Sequence, residues 1–161
     1  MSIATLHQPV PVFSASMTNE ATFSLDAYRG HHVVLFFYPK DNTPGCTLES
    51  QAFSRLQKEF NALNTVVFGL SRDSLKSHAK FQNSCEVSVP LISDADEAIC
   101  TLFGVMKDKT MFGKPVRGIA RSTFVIDPSG VLIKEWRSVK AEGHAEAVLD
   151  WIKSSAVATT S

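Results

Sequence analysis

The apolar positions along the chain fall into a few regular patterns, and their order predicts the elements. Val33-Val34-Leu35-Phe36-Phe37-Tyr38 is an unbroken β-branched and aromatic run, the signature of a strand buried on both faces. A turn-rich stretch, Pro39 to Gly45, separates it from Leu48, Ala52, Phe53, Leu56, Phe60 and Leu63. Their spacing makes one stripe at the 3.6-residue period and predicts a single helix. A second apolar run, Thr65 to Leu70, follows. Two such strands flanking a helix predict a right-handed βαβ unit in a sheet covered on both sides.

The pattern continues with a helix from Ser74 to about Cys85, Leu75 and Ala79 facing inward, and a short strand near Val89 to Ile92. Ser93 to Glu97 caps a further helix with the stripe Ala98, Ile99, Leu102 and Phe103, ended by Gly104. Lys107 to Val116 reads as loop. Ser122 to Asp127 and Val131 to Trp136 predict a hairpin across Asp127-Pro128-Ser129-Gly130. The last helix, Gly143 to Lys153, buries Ala145, Val148, Leu149 and Ile152, and residues 154–161 read as a flexible tail. This order predicts an α/β thioredoxin-like fold: a central mixed sheet flanked by helices, with an N-terminal extension and a strand-helix insertion, as one domain over residues 1–153.

Composition narrows the function classes. Sixteen basic and sixteen acidic residues leave no net charge, so neither nucleic acid nor an anionic membrane is an expected partner. The longest apolar run is far short of the roughly 20 residues that span a bilayer. Met1 to Phe13 lacks the charged and apolar regions of a secretory signal, and a cytoplasmic location is expected. Three cysteines, an odd number, point in a reducing compartment to catalytic, sensing or buried thiols rather than to a disulfide framework. No histidine is spaced with them as a zinc ligand.

Cys46 is the thiol with a chemical setting. It falls within the first helical turn after a buried strand, where Thr43 can cap and Pro44 can take the first helical position. N–H groups there lack intrahelical partners and the helix dipole is positive, so a thiolate, the reactive form of the side chain, is stabilised. Thr43, three residues earlier, lies on the same side of the turn, where its hydroxyl can donate to sulfur or accept from a substrate hydroxyl. A dithiol reductase would carry a second cysteine at that position; the Thr-x-x-Cys spacing keeps the activating turn and removes that partner.

FYPKDNTPGCTLE, with Pro39, Thr43 and Cys46, resembles the peroxidatic motif of peroxiredoxins, specifically the PrxQ or bacterioferritin comigratory protein subfamily. The similarity runs through SLDAYRGHHVVLFFYPK, LSRDS, VPLISDADE, FGV, GKPVRGIARSTFVIDPSG and EWRSVKAEGHAEAVLDWI. The resemblance implies a thiol peroxidase that reduces hydrogen peroxide and small organic hydroperoxides without metal, haem or flavin. In it the Cys46 thiolate attacks a peroxide oxygen and becomes a sulfenic acid. Pro39 shields the pocket, Thr43 orients the peroxide, and Arg121 polarises the reacting oxygens, with Arg117 as the alternative guanidinium. Glu49 positions Arg121 or arranges a proton path.

The resemblance also implies a resolving cysteine, but both of its usual positions hold glutamine here, Gln51 and Gln82. Cys85, three residues beyond Gln82 and near the same helix face, is the expected resolver, and it can reach Cys46 only if helix ends unwind. Cys100, off its helix stripe, and an external thiol are the alternatives. Thioredoxin or a similar dithiol protein is the implied reductant, and a monomer is expected. Two rivals stand beside this reading: a thiol-disulfide oxidoreductase on the same fold, and a non-enzymatic peroxide sensor. His78 reads as a packing or surface histidine.

Overall fold

The computed structural model describes residues 4–159, with side chains for all of these except residues 109, 111 and 156–159. Fourteen elements follow in chain order. They are β1 (Ser14–Met17), β2 (Ala21–Ser24), β3 (His32–Phe37), α1 (Pro44–Arg55), α2 (Gln57–Ala62), β4 (Thr65–Ser71), α3 (Leu75–Cys85), β5 (Leu91–Ser93), α4 (Ala98–Phe103), β6 (Met106–Met111), β7 (Lys114–Ile119), β8 (Ser122–Ile126), β9 (Leu132–Trp136) and α5 (His144–Thr159). Seven strands form one sheet in the order β2-β1-β5-β4-β3-β8-β9, and β6 pairs with β7 apart from it. β3 runs parallel to β4 and β4 to β5, while β8 is antiparallel to β3 and to β9, so the central sheet is mixed as expected.

The apolar run of β3 divides by its period of two. Val33, Leu35 and Phe37 enter one core layer with Phe103, Phe124 and Cys100. Val34, Phe36 and Tyr38 enter the other with Phe53, Phe60, Phe81, Val148 and Cys46. A strand with helices on both faces needs both sets apolar, which is why no alternation shows in its sequence.

Several expectations are corrected. The predicted single helix is two, broken at Leu56, whose ψ of 2° interrupts the helix while Phe53 and Phe60 stay buried on one stripe. Leu48 is 49% exposed; the inward face of α1 carries Cys46, Glu49, Ser50, Ala52 and Phe53 instead. On α3, Leu75 and Ala79 point outward and His78 and Phe81 are buried, because the helix is rotated to bring 78, 81 and 85 over the sheet. Ala98 is exposed on α4, and Cys100 takes an inward place beside Ile99 and Phe103. The expected loop 107–116 is the β6–β7 hairpin, unreadable as strands because its side chains are mostly polar and exposed. The N-terminal extension forms the β1–β2 hairpin and joins the main sheet through Met17 and Ile92. Finally, α5 continues to Thr159, so residues 154–159 of the expected tail are helical; 160–161 lie outside the described residues.

Candidate active site

The site forms where β3 ends and α1 begins, against the loop that leads into β8. Thr43 is the residue before α1, in extended conformation (φ −97°, ψ 154°), and Pro44 supplies the first helical position, as expected. Thr43 does not cap with its side chain. Its hydroxyl donates to the Lys40 carbonyl at 2.9 Å, which corrects the capping expectation and leaves its oxygen lone pairs able to accept from a substrate.

Cys46 is the third helical residue and is 1% exposed, a free thiol in the layer of Phe36 and Phe53. One guanidinium reaches it from another element, and a carboxyl on its own helix holds that guanidinium. Arg121, just ahead of β8, donates from Nη2 to Cys46 Sγ at 3.5 Å and from Nη1 to Glu49 Oε1 at 2.6 Å. Glu49 is fully buried one turn along α1, and burial pushes its carboxyl up to about 7 against the opposing pull of the Arg121 guanidinium. Among the described residues, Glu49 Oε2 and the neighbouring Ser50 Oγ have no hydrogen-bond partner. Arg117 lies outside this site: it and Arg72 pair with Glu97.

Pro39 and Arg121 both line a cavity of about 330 Å³, together with Lys107, Ala120, Ser138 and Val139. Sequence reasoning missed Gly45. A Cβ there would stand 3.0 Å from Arg121 Nη2, close enough that the guanidinium would have to shift from its place beside sulfur. His144 is a second residue near the site that no sequence pattern marks. Its Nε2 meets Thr123 Oγ1 at 2.7 Å, and burial, aided by Arg121, pushes it down to about 4. Only long-range proximity to Arg121 marks it, and nothing in its local sequence signals that.

The other two thiols differ sharply. Cys85, the last residue of α3, is half-buried and donates to Asn42 Oδ1 at 3.5 Å, while its carbonyl accepts from Gln51 Nε2 at 2.8 Å. Gln82 is used in the same neighbourhood, bonding the Val89 carbonyl at 2.9 Å. The two glutamines at the usual resolver positions thus staple the Cys85 segment. Cys100 is wholly buried on the opposite face of the sheet from Cys46, and burial with Asp94 pushes its thiol far up.

A single cysteine at a helix start on a thioredoxin-like sheet, with threonine in place of a second cysteine and an arginine against the sulfur, defines a thiol-based redox protein that works on a substrate rather than by dithiol exchange. The AhpC/TSA family model matches residues 6–135. The chain is 45% identical over 158 residues to peroxiredoxin Bcp of Xanthomonas campestris, covering 97% of this chain and 99% of that one. It is 40% identical over 146 residues to peroxiredoxin Bcp of Bacillus subtilis, 91% and 93% of the two chains. The structure of the Xanthomonas campestris bacterioferritin comigratory protein, described for its alkyl peroxide reduction activity, superposes with a TM-score of 0.88 at 44% identity, covering 95% of this chain and 99% of that one. A mutant of Xylella fastidiosa PrxQ superposes with a TM-score of 0.91 at 39% identity over 97% and 99% of the chains. The chain belongs to the AhpC/TSA family, among its Bcp/PrxQ peroxiredoxins, and is a thiol peroxidase.

Proposed function

We propose that Cys46 is the peroxidatic residue and that the protein reduces hydrogen peroxide and small organic hydroperoxides through a Cys46–Cys85 disulfide. The observation that carries the reading is the position of Arg121, 3.5 Å from Cys46 Sγ and 2.6 Å from Glu49. The thiolate attacks the terminal peroxide oxygen, the O–O bond breaks, and the alkoxide or hydroxide leaves and takes up a proton. Sulfur is oxidised by two electrons to the sulfenic acid and the peroxide is reduced. Negative charge passes from sulfur to the leaving oxygen, and Arg121 is a fixed donor aimed along that path in a site shielded by Pro39. Thr43 accepts from the hydroperoxide, with its own proton held by Lys40. Glu49 positions Arg121 by sharing its guanidinium.

Cys85 then attacks the sulfenic sulfur, water leaves, and the disulfide forms. The 3.5 Å contact of Cys85 with Asn42, four residues before Cys46, supports this assignment, whereas Cys100 would have to cross the sheet. Formation requires the two Cα atoms to come within about 7 Å, and local unwinding of both helix ends that carry the thiols brings them there in this reading. A thioredoxin-type dithiol protein recycles the disulfide. The proposed setting is a cytoplasmic monomer acting through one domain that closes with α5.

The test is the mass of wild type, Cys85→Ser and Cys100→Ser after one equivalent of peroxide, with and without a sulfenic-acid trap. A disulfide lost only in Cys85→Ser is expected. A trapped sulfenic acid in all three proteins contradicts the resolver and leaves an external thiol in that role.

A further inference from the structure

The loop bearing Pro39 and Thr43 is held from behind by side chains that do not face the peroxide site. Asp41 is 6% exposed. Its carboxylate accepts from Tyr38 at 2.6 Å, from Ser77 Oγ at 2.8 Å and from His78 Nδ1 at 2.8 Å. His78 is completely buried, and its other ring nitrogen, Nε2, bonds the Ile92 carbonyl of β5 at 2.9 Å. The Asp41 N–H donates to Asp73 Oδ2 at 2.8 Å, and Ser71 Oγ donates to the same oxygen at 2.6 Å. Burial opposes ionisation of Asp41, but its bonds to His78, Tyr38 and Ser77 outweigh it and hold the carboxyl below its usual range. A buried carboxylate with three donors is costly to assemble unless every member is satisfied, and here every acceptor bond comes from an element next to the peroxidatic loop.

The far end of α3 is fastened otherwise. Cys85 is held by exposed bonds to Asn42 and Gln51, and Glu86 follows in a left-handed conformation with φ 55°. Helix α3 is therefore anchored by buried bonds near its start and by exposed ones at its end, and at each end one partner, Asp41 or Asn42, lies on the loop that leads to Cys46.

We propose that the Asp41–His78 pair is a positioning joint that holds this loop and α3 in the closed arrangement needed for peroxide attack. It thereby sets the balance between attack at Cys46 and delivery of Cys85. A joint that favours the closed arrangement speeds the first step and restrains the second, because disulfide formation needs the open one. The effect on the second step rests on Cys85 as the resolving thiol, and the effect on the first does not.

The test uses the two amides that each mimic one ring nitrogen. His78→Asn keeps a donor at the Nδ1 position facing Asp41, and His78→Gln keeps one at the Nε2 position facing Ile92. The rate constants for Cys46 oxidation and for the following disulfide step are measured for each by rapid mixing with hydrogen peroxide. The ratio of disulfide rate to oxidation rate is expected to rise about tenfold or more in His78→Gln and to stay within about twofold of wild type in His78→Asn. An equal shift in both variants, or none in either, overturns the joint. If His78→Gln does not fold, Ser77→Ala and Tyr38→Phe each remove one donor to Asp41; a raised ratio supports the joint and an unchanged ratio overturns it. If wild type forms no Cys46–Cys85 disulfide, the resolver has failed. The oxidation rate alone then decides: slower attack in His78→Gln but not in His78→Asn supports the joint, and equal rates overturn it.

Discussion

Arg121 and Glu49, 72 residues apart in sequence, share a 2.6 Å ion pair beneath Cys46. The carboxylate takes one guanidinium nitrogen and leaves the other pointed at sulfur. Removing that donor should be felt in chemistry more than in binding. Arg121→Gln is expected to lower kcat/KM for hydrogen peroxide by about 100-fold, the scale seen when one fixed donor to a transition-state charge is lost. Stopped-flow oxidation of Cys46 checks it, and a loss below threefold would contradict the role.

Glu49 links the site to stability through pH. Its carboxyl holds a proton up to about 7 in the folded protein, above the ordinary 4.5. The folded state therefore binds more protons than the unfolded state between these values. Its contribution is fully present below pH 4.5, falls as pH rises through the window, and is constant above it. The total is about 3 kcal/mol. Denaturant titrations of Glu49→Gln are expected to lose this contribution, so that the stability of the variant relative to wild type rises with pH across the window.

His144 works in the opposite direction. Its folded value of about 4 lies below the ordinary 6.5, so the unfolded state binds more protons between them and stability falls as pH drops through that range. The two windows overlap, and their slopes cancel in the wild type. His144→Gln is expected to show a steeper decline between pH 5 and 7 than wild type in the same titrations.

Gly45→Ala separates activity from stability. Alanine is the better helix former by about 0.5–1 kcal/mol, yet its Cβ would press on Arg121 Nη2 from 3.0 Å. A thermal midpoint at or above that of wild type, together with a several-fold slower Cys46 oxidation, is the expected pair of results.

Cys100→Ala should leave a small cavity beside Phe103 and cost about 1 kcal/mol or somewhat more. Peroxide turnover and the oxidised disulfide are expected to be unchanged, because this thiol lies across the sheet from Cys46.

Much of this was legible in the sequence where a local rule and the global fold agree. The β3 run, the helix start at Pro44 and the turn at Asp127–Gly130 each follow from short-range chemistry, and the Cys46 setting follows from them. The inward face of α1 is not legible as an apolar stripe, because the polar Glu49 and Ser50 occupy buried positions while the apolar Leu48 is half exposed. His78 looked incidental for the same reason: its partner Asp41 lies 37 residues away, and no periodicity records a buried polar pair. The β6–β7 hairpin was invisible because nothing packs on most of it, leaving the pattern of polar and apolar positions without a core to report.

The central claim, that the thiol at the start of α1 performs the peroxide chemistry, has one direct measurement: the second-order rate of hydrogen peroxide consumption by Cys46→Ser beside wild type, with thioredoxin and its reductase supplying electrons. Wild type is expected to turn over and Cys46→Ser to show only the background of the reductant. Turnover by Cys46→Ser at the wild-type rate would contradict the account.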